Sequence, residues 1–358
     1  MSQRILGYDF ARGLAIIGMV FVNFKVVMAI ESTSLIYQAL DLLSGKAAAL
    51  FIVLAGIGMT LMYDGAKRKK DAAKMWQVKV TLLKRAAFLF FVGLSYYAIW
   101  PADILHYYGV FLCVGVGLLG VSRLKLQVLS ILLIVVYPVM LALFDYEVGW
   151  DFSTLTYTDF FTIQGFFRHL FFNGFHPVIP WVAFLLTGIW LGRIDLNNDQ
   201  KRKRVMLMSL VVFVVFKVVS VGLVSIAFML VPAGADELAL LLGTEPMPPL
   251  LFYMVTAASL AIFIITISIS ITKKYPTALF VKQLICTGQL ALSNYFFHVV
   301  IGMIGIALFY EDIESTFSIE FVFFYALIFN VILIVFSHLW RRKYERGPIE
   351  LLMRKITG

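Results

Sequence analysis

Residues 47–85 read AAALFIVLAGIGMTLMYDGAKRKKDAAKMWQVKVTLLKR. The stretch opens on an apolar run over 47–64, close to the roughly 20 residues a helix needs to cross the hydrocarbon core of a bilayer. It then turns into a block of bases: Lys67, Arg68, Lys69, Lys70, Lys74, Lys79, Lys84 and Arg85. A spanning run closed by a basic block marks a membrane helix that ends on the cytoplasmic side. The pattern repeats in both directions. Arg4 and Arg12 precede the first apolar run, Arg123 and Lys125 follow the fourth, and Arg193, Lys201, Arg202, Lys203 and Arg204 follow the sixth. Lys273, Lys274 and Lys282 follow the eighth, and Arg341, Arg342, Lys343, Arg346, Arg354 and Lys355 fill the tail. Of the 30 Lys and Arg residues, only Lys25, Lys46, Arg168 and Lys217 fall outside this alternate set of gaps. The reading is an all-α integral membrane protein of about ten transmembrane helices with N- and C-termini cytoplasmic. Spans are placed near residues 10–30, 47–64, 85–100, 104–121, 127–144, 178–192, 205–230, 250–272, 287–310 and 318–339.

The composition agrees: 61% of the 358 residues are hydrophobic and 14% charged. Spans and short connections use nearly the whole chain, so a single transmembrane domain over 1–358 is expected, with a cytoplasmic tail at 341–358. The net charge of +9 sits in short loops beside the spans. Topology and anionic headgroups account for it, and nucleic acid is excluded as a partner. Cys113 and Cys286 give no disulfide framework. The first span lacks a small-x-small cleavage site and reads as retained. No period of 20–50 residues recurs, which excludes a solenoid. Residues 145–177 carry Phe160, Phe161, Phe166, Phe167, Phe171 and Phe172 and are expected as an outer interfacial helix. The prolines of 231–249 suit a tight entry into the eighth span, and Tyr275 to Lys282 reads as an amphipathic link.

Ionisable groups inside spans are costly and point to a cavity or a pathway. Asp9 and Arg12, three apart, share a helix face and pair with each other or present a cation to a phosphorylated co-substrate. Asn23 lies 11 residues beyond Arg12, about 16 Å further along a helix. It is either an interhelical bond or an oxyanion donor. Asp103 and His106 are again three apart, so the carboxylate can fix the tautomer of the imidazole. The alternative is an interfacial cap. His176 is held between Asn173-Gly174 and Pro177 at the outer mouth of the sixth span. Asn294 and His298 share a face of the ninth, and Lys217 is mid-span in the seventh. His169 and His338 read as interfacial. There is no metal-ligand spacing, phosphate loop or nucleophile elbow, so no metal is expected.

The first-span stretch from Asp9 to Asn23, DFARGLAIIGMVFVN, resembles the opening signature of the transmembrane acyltransferase superfamily. That superfamily includes heparan-alpha-glucosaminide N-acetyltransferase and a bacterial family of unknown function. Further segments are similar in order: Gly45 to Gly58, Lys84-Arg85, Asp103-Ile104-Leu105, Pro180-Trp181 to Gly188, Gly192-Arg193, Gly288 to Tyr295, and Gly347 to Glu350 with Arg354. The resemblance implies acyl-CoA, typically acetyl-CoA, used from the cytoplasmic face and an acceptor modified on the outer face. In the bacterial O-acyltransferase branch a catalytic His occupies the position of Asn23. The heparan branch keeps Asn there and has its His near Ser34. Residues 30–34 here contain none. Either His106, His176 or His298 is then the base, or Glu31 is, or the fold is kept without the chemistry.

Two functions follow. The first is an acyltransferase of the bacterial cytoplasmic (inner) membrane acting on a small-molecule, lipid or glycan acceptor, embedded in membrane lipids and compatible with a homodimer. Its catalytic set is His176, ranked first, with His106, His298, Asp103 orienting, and Asn23 and Asn294 on the oxyanion. Arg12, Asp9, Lys84 and Arg85 would hold the acyl-CoA. The second is a transporter or channel for a small metabolite or lipid, with Lys217 and His298 as coupling groups.

Overall fold

The computed structural model describes residues 5–152, 154–310, 313 and 315–358; Arg4 lies outside them. The chain is nearly all helical, because in hydrocarbon each backbone polar group must be satisfied within its own segment. Its helices are α1 Leu6–Met28, α2 Leu35–Asp41, α3 Lys46–Arg68, α4 Ala72–Ser95, α5 Leu105–Leu118, α6 Arg123–Leu143, α7 Ile163–Arg168, α8 Val178–Leu191, α9 Asp199–Leu230, α10 Ala235–Leu242, α11 Leu251–Lys274, α12 Leu279–Gln289, α13 Ala291–Phe297, α14 Ile304–Ala307, α15 Ile319–Lys343 and α16 Pro348–Thr357. A helix lies at each of the ten stretches expected to span.

Six helical segments among the described residues are long and apolar enough to cross a membrane: α1, α2 with α3, α6, α9, α11 and α15. Two bent pairs, each a broken span or a re-entrant loop, bring the number to eight if each is one span. Residues 163–173 meet α8 at 48°, and α12 meets 291–307 at 76°. The other two positions are weaker. α4 carries Lys74, Lys79, Lys84 and Arg85, and α5 has only 14 residues, about 21 Å of helix against a core of roughly 30 Å.

The chain divides into two compact units that alternate along the sequence. One comprises Met1–Phe51, Leu196–Leu207 and Ala261–Ile356. Here α1 lies directly on α12: a Cβ on Gly288 would stand 1.7 Å from the Asp9 carbonyl oxygen, and one on Gly13 2.4 Å from that of Leu284. Lipid tails are as apolar as leucine, so close approach through small residues is what holds such helices together. Phe10, Val281 and Ile285 fill the core beside the crossing. Past the end of α1, the amides of Ser315 and Phe317 bond the carbonyls of Val27 and Met28 at 2.8 and 2.9 Å, which satisfies the open end of the helix. Asp199 pairs with Arg202 at 2.8 Å and Lys273 at 3.1 Å.

The second unit comprises Ile52–Asp195, Met208–Leu260 and Thr357–Gly358. Thr60 on α3 donates to the Ile189 carbonyl of α8 at 3.2 Å. Arg193 donates to the carbonyls of Leu119 and Val121 beyond α5, a cation on a helix C-terminus. α6 and α9 bury only 11% of their most apolar stretches, so they present apolar surface outward. The aromatic segment 145–177 is not the single interfacial helix expected. It folds as an antiparallel pair, β1 Trp150–Asp151 with β2 Thr156–Tyr157, then α7, then a π turn His169–Asn173. Phe160 and Phe172 turn inward; Phe160 packs with Tyr97 and Tyr157.

Candidate active site

The second unit gathers three of its imidazoles around the start of α5. The turn after α4 delivers Asp103 to the N-terminus of α5, where its Oδ2 accepts from the His106 backbone N–H at 3.1 Å. The same oxygen lies 3.1 Å from His106 Nδ1, and Oδ1 accepts from the Tyr96 hydroxyl at 2.5 Å. Both side chains of the dyad are fully buried. Burial pushes this carboxyl upward, and the bonds from His106 and Tyr96 outweigh it, holding Asp103 below the ordinary aspartate range. An ionised Asp103 accepts a hydrogen bond from the Nδ1–H of His106. The lone pair of His106 is then on Nε2, a buried atom with no hydrogen-bond partner among the described residues.

Around this dyad the rings run in series. Tyr107 stands 4.0 Å from His106 and 5.8 Å from His176, centroid to centroid, and His176 stands 4.6 Å from Trp181. The Tyr107 hydroxyl meets His169 Nδ1 at 2.8 Å. Gly174 makes the space: a Cβ there would come 2.1 Å from the Tyr107 hydroxyl and 2.3 Å from the His169 carbonyl oxygen. His176 Nδ1 and Trp181 Nε1 are, like His106 Nε2, buried without a partner among the described residues. Buried polar atoms are satisfied as a rule, so these three retain hydrogen-bonding capacity that the described residues do not use.

The first unit holds a different pair. Asn23 Nδ2 lies 2.8 Å from His298 Nε2, and His298 Nδ1 meets the Tyr295 carbonyl. That pattern suits a neutral ring with its proton on Nδ1 and Nε2 accepting from the Asn23 amide. His298 is buried and opens a π turn, His298–Met303. Asn294 does not join this pair through its amide nitrogen, whose donors go to the Thr287 carbonyl at 3.1 Å and the Ser337 hydroxyl at 2.9 Å.

Of the other expected residues, Asp9 and Arg12 pair at 2.7 Å, and Gln289 donates to Asp9 at 3.3 Å. Lys84 is exposed, and Arg85 reaches the Met62 sulfur at 3.8 Å; both belong to the second unit. Lys217 donates to the Thr244 hydroxyl at 2.6 Å. Glu31 is exposed. Two residues were missed by sequence reasoning. His169, which reads as interfacial from the sequence, is buried in the ring cluster; its spacing of seven from His176 is the available signal. Lys25 is buried, pairs with Asp41 and stands 4.0 Å over the Tyr37 ring.

The profile of the heparan-alpha-glucosaminide N-acetyltransferase catalytic domain matches residues 4–233, well over half of the chain. The chain belongs to that family. A second profile, described as a protein of unknown function (DUF418), matches residues 190–358. The uncharacterized protein YxaH of Bacillus subtilis (strain 168) is 24% identical to this chain, over 99% of it and 94% of YxaH itself. The heparan-alpha-glucosaminide N-acetyltransferase match contains Asn23, Asp103, His106, His169 and His176, whereas Asn294 and His298 lie in the other. With its apolar helices, membership in the family makes this a multi-pass membrane protein of acyltransferase type.

Proposed function

We propose that the protein transfers an acyl group, most simply acetyl, from cytoplasmic acyl-CoA to a hydroxyl or amine acceptor on the outer face of a bacterial inner membrane. The full reading has ten spans and both termini inside, and the acceptor is a small molecule, lipid or glycan. The observation that carries the proposal is the Asp103–His106 dyad with its unpartnered Nε2. His106 Nε2 takes the proton of the acceptor as its oxygen or nitrogen bonds to the thioester carbonyl. The indole N–H of Trp181 is a buried unspent donor, as a developing oxyanion requires. Collapse of the tetrahedral intermediate breaks the C–S bond, and the imidazolium returns its proton to the leaving thiolate. Asp103 steadies the imidazolium throughout. His106, oriented by a carboxylate, replaces His176 as the first choice for the base.

A second reading rests on Asn23–His298. The imidazole that a bacterial branch of the superfamily carries at position 23 is here brought to that position by His298, 2.8 Å away. In it His298 is the base. Proteoliposomes given labelled acetyl-CoA and a membrane extract as acceptor source test both. Transfer of label that is lost in His106→Ala and kept in His298→Ala supports the first. The reverse supports the second, and no binding or consumption of acetyl-CoA by the wild type rejects acyl transfer.

A further inference from the structure

A polar cavity of about 400 Å³ lies in the first unit, at the break between α12 and α13. It is lined by Gln289, Arg341, Glu345, Arg346 and Glu350. All five are polar, and all lie beyond the part of the chain that the N-acetyltransferase profile covers. The charges are not spent evenly. Glu350 Oε1 accepts from the backbone N–H groups of Leu292 and Ser293 at 2.8 and 3.2 Å, and Oε2 accepts from the Ser293 hydroxyl. Its charge is therefore committed to the α13 backbone. Gln289 reaches away to Asp9.

The arginines are less committed. Arg341 gives one Nη1 bond to the Tyr344 carbonyl at 3.0 Å, while its Nε is buried without a partner among the described residues. Among the same residues neither Arg341 nor Arg346 forms an ion pair with a carboxylate. Two guanidiniums in one pocket, with forks unfilled by carboxylates, are the donor set that holds a phosphate. The volume falls within the range of small-molecule sites, roughly 300–1,000 Å³. It exceeds what a single phosphate fills, and its polar lining offers nothing to an acyl chain. We infer that this cavity binds a phosphate ester through Arg341 and Arg346, and that the ester is the nucleotide end of the acyl-CoA donor. The choice of donor rests on the acyltransferase reading above; the phosphate chemistry does not. An anionic lipid headgroup is the other source of the same chemistry.

The experiment uses the full chain in nanodiscs of neutral lipid, with adenosine 3′,5′-bisphosphate and CoA titrated by calorimetry. Acetyl-CoA turnover is measured in parallel. Arg341→Gln and Arg346→Gln should each weaken nucleotide binding roughly 10-fold or more, as loss of a charge-assisted bond does. They should raise KM for acetyl-CoA by a similar factor with kcat little changed, because a contact to the nucleotide end is made equally in the ground state and the transition state. Arg346→Lys, which keeps the charge and loses the fork, should fall between. Lys343→Gln, on the exposed end of α15, should change neither quantity. Matching unfolding midpoints and gel-filtration profiles verify that the variants fold. Nucleotide binding or KM unchanged in both Gln variants overturns this inference and leaves the acyltransferase standing. A wild type that binds no CoA and turns over no acetyl-CoA removes that reading and the nucleotide assignment together. Stabilisation by phosphatidylglycerol nanodiscs that is lost in the Arg variants, without nucleotide binding, reassigns the site to a lipid headgroup.

Discussion

Asp103→Asn exchanges one carboxylate oxygen for an NH2 group and tests the proposed chemistry directly. The carboxylate's donors include the Tyr96 hydroxyl on one oxygen, and the backbone N–H and ring Nδ1–H of His106 on the other. Asparagine can offer only one acceptor oxygen. If its NH2 faces His106, the ring must accept at Nδ1 and carry its proton on Nε2, so the base is gone. If its NH2 faces Tyr96, the ring keeps its tautomer but loses the charge that stabilises the imidazolium. Loss of tautomer or counter-charge in such dyads costs about 10²- to 10⁴-fold in rate, and we expect about 10³-fold in kcat/KM, near 4 kcal/mol of transition-state stabilisation. Folding stability should drop far less, by about 1–3 kcal/mol for a buried group left with a mismatched partner. Release of CoA from acetyl-CoA in proteoliposomes measures the first, and detergent-solubilised thermal unfolding the second. An Asp103→Asn protein within threefold of wild type, alongside a His298→Ala protein down more than 10²-fold, would refute the reasoning. The base would then be His298, and the Asp103–His106 dyad would serve only to close α5 onto its preceding turn.

Other substitutions probe the supporting structure. Gly174→Ala should cost about 1–3 kcal/mol by driving a methyl into the Tyr107 hydroxyl and the His169 carbonyl; an unchanged unfolding midpoint would mean the site has slack that these distances do not allow. Asn23→Ala should destabilise by a comparable amount, about 1–3 kcal/mol, because it strips a buried imidazole of its donor, and thermal unfolding reads it out. Burial raises the Glu350 carboxyl, against the opposing bonds from Ser293 and Leu292. A raised carboxyl pKa favours the protonated folded form, so this stabilisation is complete below the unfolded value of about 4.3 and is lost as pH climbs through the raised one. The midpoint of the wild type should therefore fall relative to Glu350→Gln as pH rises from about 4.3 through the raised value; parallel curves would contradict it. For the topology, single cysteines at residues 69 and 203 should resist an impermeant external reagent, and those at 147 and 236 should react; strong external labelling at 69 or 203 would overturn the orientation.

Most of the helices were legible because bilayer thickness and charge sidedness act locally, on runs of residues that lie together in the chain. The Asp103–His106 dyad was legible for the same reason, three residues being one turn. What escaped is long-range. Tyr275 to Lys282 reads as a link, yet α12 starts at Leu279 and the bend falls at Leu290 with no proline to announce it. The amides freed there are satisfied by Glu350, some 58 residues on, which no window of sequence would pair with them. His169 sits among phenylalanines and beside Arg168 and so reads as interfacial; Tyr107, 62 residues earlier, supplies its hydrogen bond. Asn294 reads from the sequence as sharing a helix face with His298. Its use, holding α13 to α15 through Ser337, depended on a helix not yet packed against it.

Both π turns begin on a buried histidine, His169 and His298. A π turn is an α-helix that has swallowed one extra residue, so each is a phase shift written into the chain. Removing one residue from 299–303 would shorten the helix by only about 1.5 Å, but it would rotate one side against the other by about 100°. Either His298 would swing away from Asn23 or everything after it would turn out of register with α15. Length variation among relatives at these two turns therefore has a meaning that it lacks elsewhere in the helices. A relative one residue shorter there has either re-aimed an imidazole or turned the chain beyond it, and its chemistry should be compared by angle before it is compared by residue identity.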